Sequence, residues 1–145
     1  MAKQYTVTPM LGIVNAVFKF LLKRGLGPPK SYLLTVRGRK TGKPYSIPVS
    51  PLEQDGVRYI VSPYGEVGWV KNARASGEVT LSRGSQSETV KVEEMPPEET
   101  GVLLKTYYDR EKAYVAPYFD VNENSSLEMF TAEAAQHPVF RVVTA

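Results

Sequence analysis

The segment Arg37-Gly38-Arg39-Lys40-Thr41-Gly42-Lys43-Pro44 gathers four cations, a hydroxyl and two glycines in eight residues. Glycines let backbone N–H groups turn toward a ligand, while Arg and Lys add fixed charge. Together they suit a phosphodiester or a carboxylate. The spacing is not that of a Walker A loop: it reads G-x-x-x-G-K, one residue short, and Pro44 stands where a magnesium-binding hydroxyl belongs. A solvated hairpin tip is the plain alternative. It is weakened because residues 1–43 hold nine Lys or Arg and no Asp or Glu. A second segment, Ser62-Pro63-Tyr64-Gly65-Glu66-Val67-Gly68-Trp69-Val70-Lys71-Asn72, sets the only Trp beside glycines at an expected helix start. Such a start attracts anions, and Trp69 with Tyr64 can cover a planar ring; ordinary packing is the alternative. A third group, Tyr107, Tyr108, Tyr114 and Tyr118 with Phe119, offers planar walls and hydroxyls of pKa ~10. Its alternative is amphipathic core filling.

Other chemistries fit badly. There is no Cys and a single His, His137, which excludes disulfides, thiolate nucleophiles, Cys-ligated metals and histidine relays. No Ser sits in a nucleophile elbow, and Glu93, Glu94, Asp109 and Glu111 read as surface charges. A chain of this kind is an enzyme only if a cofactor does the chemistry. At 145 residues, 42% hydrophobic and 23% charged, it has the size and composition of one ordered domain. The net charge of +3 conceals a polarity, because the remainder after residue 43 holds nine basic against fifteen acidic residues. The basic end calls for an anionic partner: a phosphorylated or polycarboxylate ligand, an anionic membrane or nucleic acid. Nucleic acid is disfavoured, since no aromatic residue interleaves with the cations between Arg37 and Lys43.

The elements that must hold these residues are legible in outline. Residues 9–24 form an expected helix with a wide apolar face, capped by Thr8, with Pro9 in its first turn and Gly25 as its stop. It is too short to span a bilayer, and it carries no signal-peptide cleavage pattern. It packs on the body, lies on anionic lipid or fills a partner's groove. Strands are expected over Ser31–Arg37, Pro44–Leu52, Val57–Ser62, Val79–Arg83, Thr89–Glu93 and Val139–Val143, with Lys40–Lys43, Asp55-Gly56 and Gly84 as turns. Pro48 makes Pro44–Leu52 an edge or bulged strand. Helices are expected over Gly68–Ala75, from Pro96 through Tyr108, and over Leu127–Gln136, the last opened by a capping box at Ser125-Ser126-Leu127-Glu128. Asn124-Ser125-Ser126 matches a glycosylation triplet by pattern only. Short strands with frequent turns point to a small antiparallel barrel or sandwich.

At this point the residues resemble a family. The run Leu34-Thr35-Val36-Arg37-Gly38-Arg39-Lys40-Thr41-Gly42-Lys43-Pro44-Tyr45-Ser46-Ile47-Pro48-Val49 is similar to the signature of the deazaflavin-dependent nitroreductase and quinone reductase family of actinobacteria. So is the sequel, Asp55 to Gly65 followed by Trp69-Val70-Lys71-Asn72-Ala73-Arg74-Ala75. The likeness covers about residues 28–95, and the paired motifs G-R-K-S/T-G-x-P and Y-G with W-x-x-N are fairly specific at this separation. The resemblance implies a mainly β fold with peripheral helices, a split β-barrel of the flavin-reductase or FMN-binding type. It implies a cytoplasmic oxidoreductase that binds reduced coenzyme F420 and passes a hydride to a quinone, an enone-lactone or a nitro-aromatic.

Carried over by position, Arg39, Lys40, Thr41 and Gly42 hold the phosphate and glutamate tail. Lys43, Pro44, Tyr45, Ser46, Ile47 and Pro48 continue along the next strand. Ile60, Val61 and Ser62 lie along the ring, with Tyr64 and Gly65 adjacent, and Gly68, Trp69, Val70 and Asn72 complete the cofactor side. The substrate-side tyrosine of the family falls among Tyr107, Tyr108 and Tyr114. Glu66 stands in a loop where some members carry Lys. FMN in the same fold and a non-catalytic F420 carrier are the alternatives. The partner is a small-molecule acceptor, with room for a homodimer and for peripheral contact of residues 9–24 with an anionic membrane.

Overall fold

In a computed structural model the structure describes residues 9–26 and 30–143. Helix α1 spans Pro9–Lys23, and Gly25, at φ 75°, ends it. The expected Thr8 cap lies outside the described residues. The strands are β1 Tyr32–Arg37, β2 Pro44–Val49, β3 Leu52–Gln54, β4 Val57–Val61, β5 Glu78–Arg83, β6 Gln86–Glu94 and β7 Val139–Val143. Asp55 and Gly56 both take positive φ, 53° and 79°, the conformation that closes a two-residue hairpin between β3 and β4. Helix α2 spans Gly68–Ser76, α3 Gly101–Val115 and α4 Leu127–Glu133.

The seven strands form one antiparallel sheet in the order β2-β1-β5-β6-β7-β4-β3. Its two edges, β2 and β3, are consecutive in the chain, joined only by Ser50 and Pro51. In a flat sheet six strand spacings would separate them by about 29 Å. Three Cα steps reach only about 11 Å. The sheet therefore curls until its edges meet, and the fold is a split β-barrel. At the corner Arg110 of α3 donates to the carbonyls of Ser50 (2.8 Å) and Pro51 (3.3 Å), which have left the ladder. The single strand expected over Pro44–Leu52 is thus two strands, broken where the chain crosses from one edge to the other.

Alternation along the strands sends side chains to two cores. Leu34, Val36, Ile60, Val79, Leu81, Val90, Val92, Phe140 and Val142 pack inside the curl with Val70 and Ala73 of α2. Val61 and Val139, one residue on from Ile60 and one back from Phe140, point the other way, into a core with Leu103, Leu104, Tyr107, Tyr108 and Phe130 from α3 and α4. Helix α1 buries Leu22 completely but leaves Ile13, Val14, Val17 and Phe20 exposed. Among the described residues no helix is long and apolar enough to cross a membrane.

Two further boundaries differ from expectation. The helix begun at Pro96 opens as a 3-10 turn, Pro97–Glu99, and α3 proper runs seven residues past Tyr108 to Val115. Thr100, buried between them, donates its hydroxyl to Pro97 O at 3.0 Å. Helix α4 stops at Glu133, and Ala134–Gln136 is a 3-10 turn. Its cap is Ser126, whose Oγ accepts from Met129 N at 3.2 Å, while Ser125 Oγ accepts from Asn122 N. Glu128 therefore sits at the second helical position, one short of the third, where a capping box needs it.

Candidate functional site

The basic turn closes the β1–β2 hairpin. Gly38 N donates to Lys43 O at 2.8 Å and Gly42 N to Gly38 O at 2.9 Å, with Gly42 at φ 72°. Thr41 Oγ1 accepts from Lys43 N at 3.2 Å and bonds Tyr45 Oη at 3.1 Å. A Cβ on Gly38 would stand 2.5 Å from the Tyr45 ring, so glycine here lets the tyrosine fold over the turn. The turn is thus a built loop whose cations project outward from a hydrogen-bonded frame. Arg37, Arg39, Lys40 and Lys43 are all exposed.

Both arginines of the turn are held by neutral oxygens. Arg37 Nη1 donates to Gly42 O at 3.2 Å. Arg39 donates twice to Asn72 Oδ1, from its backbone N at 3.1 Å and from Nη1 at 2.8 Å. Elsewhere four arginines meet carboxylates, while Arg83 donates to Ser31 O at 2.8 Å. Arg58 pairs with Glu88, Arg110 with Glu111, and Arg141 with Glu93. Arg74 bridges Glu66 and Glu94 with contacts of 2.6–2.9 Å. Those carboxylates cancel the charge of their arginines. The turn's tethers orient a guanidinium and leave its charge in place, and among the described residues none of its four cations pairs with a carboxylate. A phosphodiester with carboxylates beyond it fits such a surface.

Asn72 is buried on α2. Trp69 precedes it by three residues, so the two share one face of the helix, a turn apart. Trp69 is half-buried, with its ring 5.6 Å from that of Phe140. Within the W-x-x-N pattern the Asn fixes the cationic turn, while the Trp packs against the barrel core. Val70 is buried in the barrel core and Gly68 is exposed at the helix start. A cleft of about 240 Å³ runs between the turn and the far end of α2, lined by Arg37, Gly38, Arg39, Ala75 and Ser76.

The remaining cofactor-side residues fall into two sets. Pro44 and Tyr45 on β2 are exposed, and Ser46, Ile47 and Pro48 are half-buried, leading away from the turn. Thr35 Oγ1 bonds Ser46 Oγ at 2.8 Å across β1 and β2. Ile60 and Val61 instead send their side chains into the two cores. Ser62 is fully buried and donates its hydroxyl to Gly65 O at 2.6 Å, closing the turn in which Gly65 takes φ 87°. Tyr64 meets Tyr118 edge-on at 4.9 Å. Glu66, in the loop before α2, is turned onto Arg74, whose hydrogen bonds hold its carboxyl below the usual range.

The tyrosines diverge. Tyr107 and Tyr108 are buried on α3, while Tyr114 is 75% exposed. Burial, then the nearby Glu111 carboxylate and Tyr64, push the Tyr107 hydroxyl well above its ordinary pKa, against the opposing Arg110. Burial raises Tyr108 as well, with Glu123 and Asp109 adding to it. Sequence reasoning missed the cornerstone Arg110 and the part of Gly38 as the seat of Tyr45. Gly38 alone had a signal, a glycine set among cations.

A curled antiparallel sheet with an uncancelled cationic turn at one end, and a Trp-bearing helix tied to that turn, defines a split β-barrel with a basic end. The chain belongs to the F420H(2)-dependent quinone reductase family, whose model matches residues 22–126. It is an oxidoreductase that uses reduced coenzyme F420. No curated protein matches the sequence. Among solved structures, a chain described as an F420-H2 dependent reductase is 21% identical, covering 79% of this chain and 95% of its own, at TM-score 0.53. A chain described as a domain-swapped dimer is 19% identical over 94% of this chain and 100% of its own, at TM-score 0.55. An FAD-binding protein from Mesorhizobium loti is 16% identical over 97% and 92%, at TM-score 0.51. At these identities the likeness is one of fold.

Proposed function

We propose that this reductase delivers a hydride to a conjugated electrophile, a quinone, an enone-lactone or a nitro-aromatic. The observation that carries the reading is the pair of arginines oriented by neutral acceptors, which suits an anionic cofactor tail. When bound, reduced F420 supplies the hydride, from C5, and one proton from solvent or a tyrosine hydroxyl completes the two-electron reduction. Arg39, Lys40, Thr41, Gly42 and Lys43 bind the phosphodiester and glutamates. Pro44, Tyr45, Ser46, Ile47 and Pro48 flank the chain between tail and ring. Ile60, Val61 and Ser62 form a rigid floor through their backbone, and Tyr64, Gly65, Gly68 and Trp69 form a wall, backed by the buried Val70 and, behind Arg39, by Asn72.

The acceptor side is built by Tyr107, Tyr108 and Tyr114. Of these Tyr107 lies near Tyr64 of the cofactor side, and burial with the Glu111 carboxylate raises its hydroxyl, so it offers the acceptor's oxygen a hydrogen bond and not an acid. The exposed stripe of α1, with Lys19, Lys23 and Arg24 and no acid on the helix, suits peripheral contact with anionic lipid on the cytoplasmic face, where apolar quinones dissolve. A homodimer through that stripe is the competing outcome.

Anaerobic mixing of reduced F420, protein and, in turn, a soluble quinone, an enone-lactone and a nitro-aromatic tests the reading. Catalytic return of the oxidised deazaflavin absorbance is expected. Tight binding without turnover of any of the three acceptor types would make the protein a carrier and overturn it.

A further inference from the structure

We infer that Asn72 is a positioning residue, which sets the affinity for the cofactor's anionic tail by orienting Arg39 without discharging it. The inference rests on the reading that the basic turn receives that tail. One side-chain oxygen, Asn72 Oδ1, accepts both the Arg39 backbone N–H (3.1 Å) and Nη1–H (2.8 Å), across 33 residues of sequence. Asn72 is 7% exposed, so its position is set by α2 packing, whereas Arg39 is exposed and would otherwise sample many rotamers. An ordered guanidinium avoids the entropy that a free one loses on binding. The chemistry of the tether matters as much as its place. A carboxylate there would hold Arg39 as firmly but cancel its charge, as Glu66 and Glu94 do for Arg74. An amide is neutral, so the held cation keeps its pull on a phosphate.

Two variants separate the two halves of the inference. Asn72→Ala removes the tether. Asn72→Asp keeps an acceptor in the same place and adds the cancelling charge. Binding is read from Trp69 fluorescence with two probes: F420, and the same deazaflavin cut off at its ribityl chain, which lacks the phosphodiester and glutamates. For F420 both variants should bind about five- to tenfold more weakly, the scale of one unordered side chain. For the truncated probe both should match the parent within twofold. In an Arg39→Ala background the Asn72→Ala loss should shrink to threefold or less, the remainder reflecting the backbone bond that survives. Equal losses in both backgrounds would mean that Asn72 touches the cofactor directly and would overturn the inference. So would weakened binding of the truncated probe, or an Asn72→Asp variant as tight as the parent. Should the parent itself fail to bind F420, the functional reading falls and takes this one with it. Parental binding with unchanged variants defeats this one alone. If Asn72→Ala fails to fold, Asn72→Asp still decides, since it retains both hydrogen bonds.

Discussion

At Tyr107 burial has a consequence that can be measured away from any reaction. Its hydroxyl is pushed upward chiefly by desolvation, so the folded protein holds that proton to higher pH than the unfolded chain does, whose tyrosines titrate near ~10. Above that value the unfolded state binds fewer protons, and stability falls as pH rises, by up to about 1.4 kcal/mol per pH unit for one such group. Below pH ~10 both states hold the proton and the effect is absent. Melting temperatures between pH 9 and 12 should therefore drop more steeply for the parent than for Tyr107→Phe, with the two curves parallel below about pH 9.5. Parallel curves throughout would mean that the hydroxyl is solvated. The residues of the cationic turn were legible as a set, because four cations and two glycines in eight positions have few other uses. Their orientation was not: nothing in a single sequence couples Arg39 to Asn72. The substrate side was least legible, since Tyr107 and Tyr114 lie two helical turns apart on one helix yet differ from 7% to 75% in exposure. Covering by α4 and the segment after α3 decides that, and spacing along one helix cannot.

Among the elements, hairpins were the most legible, for local reasons. Asp55-Gly56 dictates its turn through positive φ, and the alternation of Leu34 and Val36, or Val79 and Leu81, marks inward faces. The break at Ser50-Pro51 was hidden because it answers to sheet closure, a property of strands far apart in sequence. The length of α3 was hidden for a like reason: Asp109, Arg110 and Glu111 read as a polar exit, yet Val115 beyond them is buried against Phe119's core. The close approach of α3 and α4 gives the second prediction. A Cβ on Gly101 would lie 2.1 Å from Thr131 Oγ1 and 3.0 Å from Thr131 Cα. Gly101→Ala therefore forces the helices apart, against the gain in helix propensity, and should cost on the order of 1–3 kcal/mol in denaturant unfolding. Adding Thr131→Ala relieves the side-chain clash but not the backbone one, so it should restore only part. A stabilised Gly101→Ala would show that the helices are not so closely held.

For the molecule as a whole, charge is sorted in space as it is in sequence. The basic third supplies α1, β1 and the turn, and the acids lie on later elements, where five of them pair with Arg58, Arg74, Arg110 and Arg141. If α1 meets anionic lipid, replacing Val17 and Phe20 by Ser should abolish sedimentation with phosphatidylserine-containing vesicles and leave turnover of a soluble acceptor unchanged. Both side chains are more than half exposed, so the fold should survive. Loss of a dimer in place of lost vesicle binding would assign the stripe to a second copy. The central claim is that the turn after β1 receives the anionic tail of F420, and titration of the apo-protein followed by Trp69 fluorescence tests it most directly. F420 should bind more tightly than FMN, and more weakly as salt rises. Arg39→Ala with Lys40→Ala should lose at least about tenfold in affinity at low salt, the worth of one charge-assisted hydrogen bond or more, with melting temperature kept. A dissociation constant unchanged in that double variant at low salt would contradict the account.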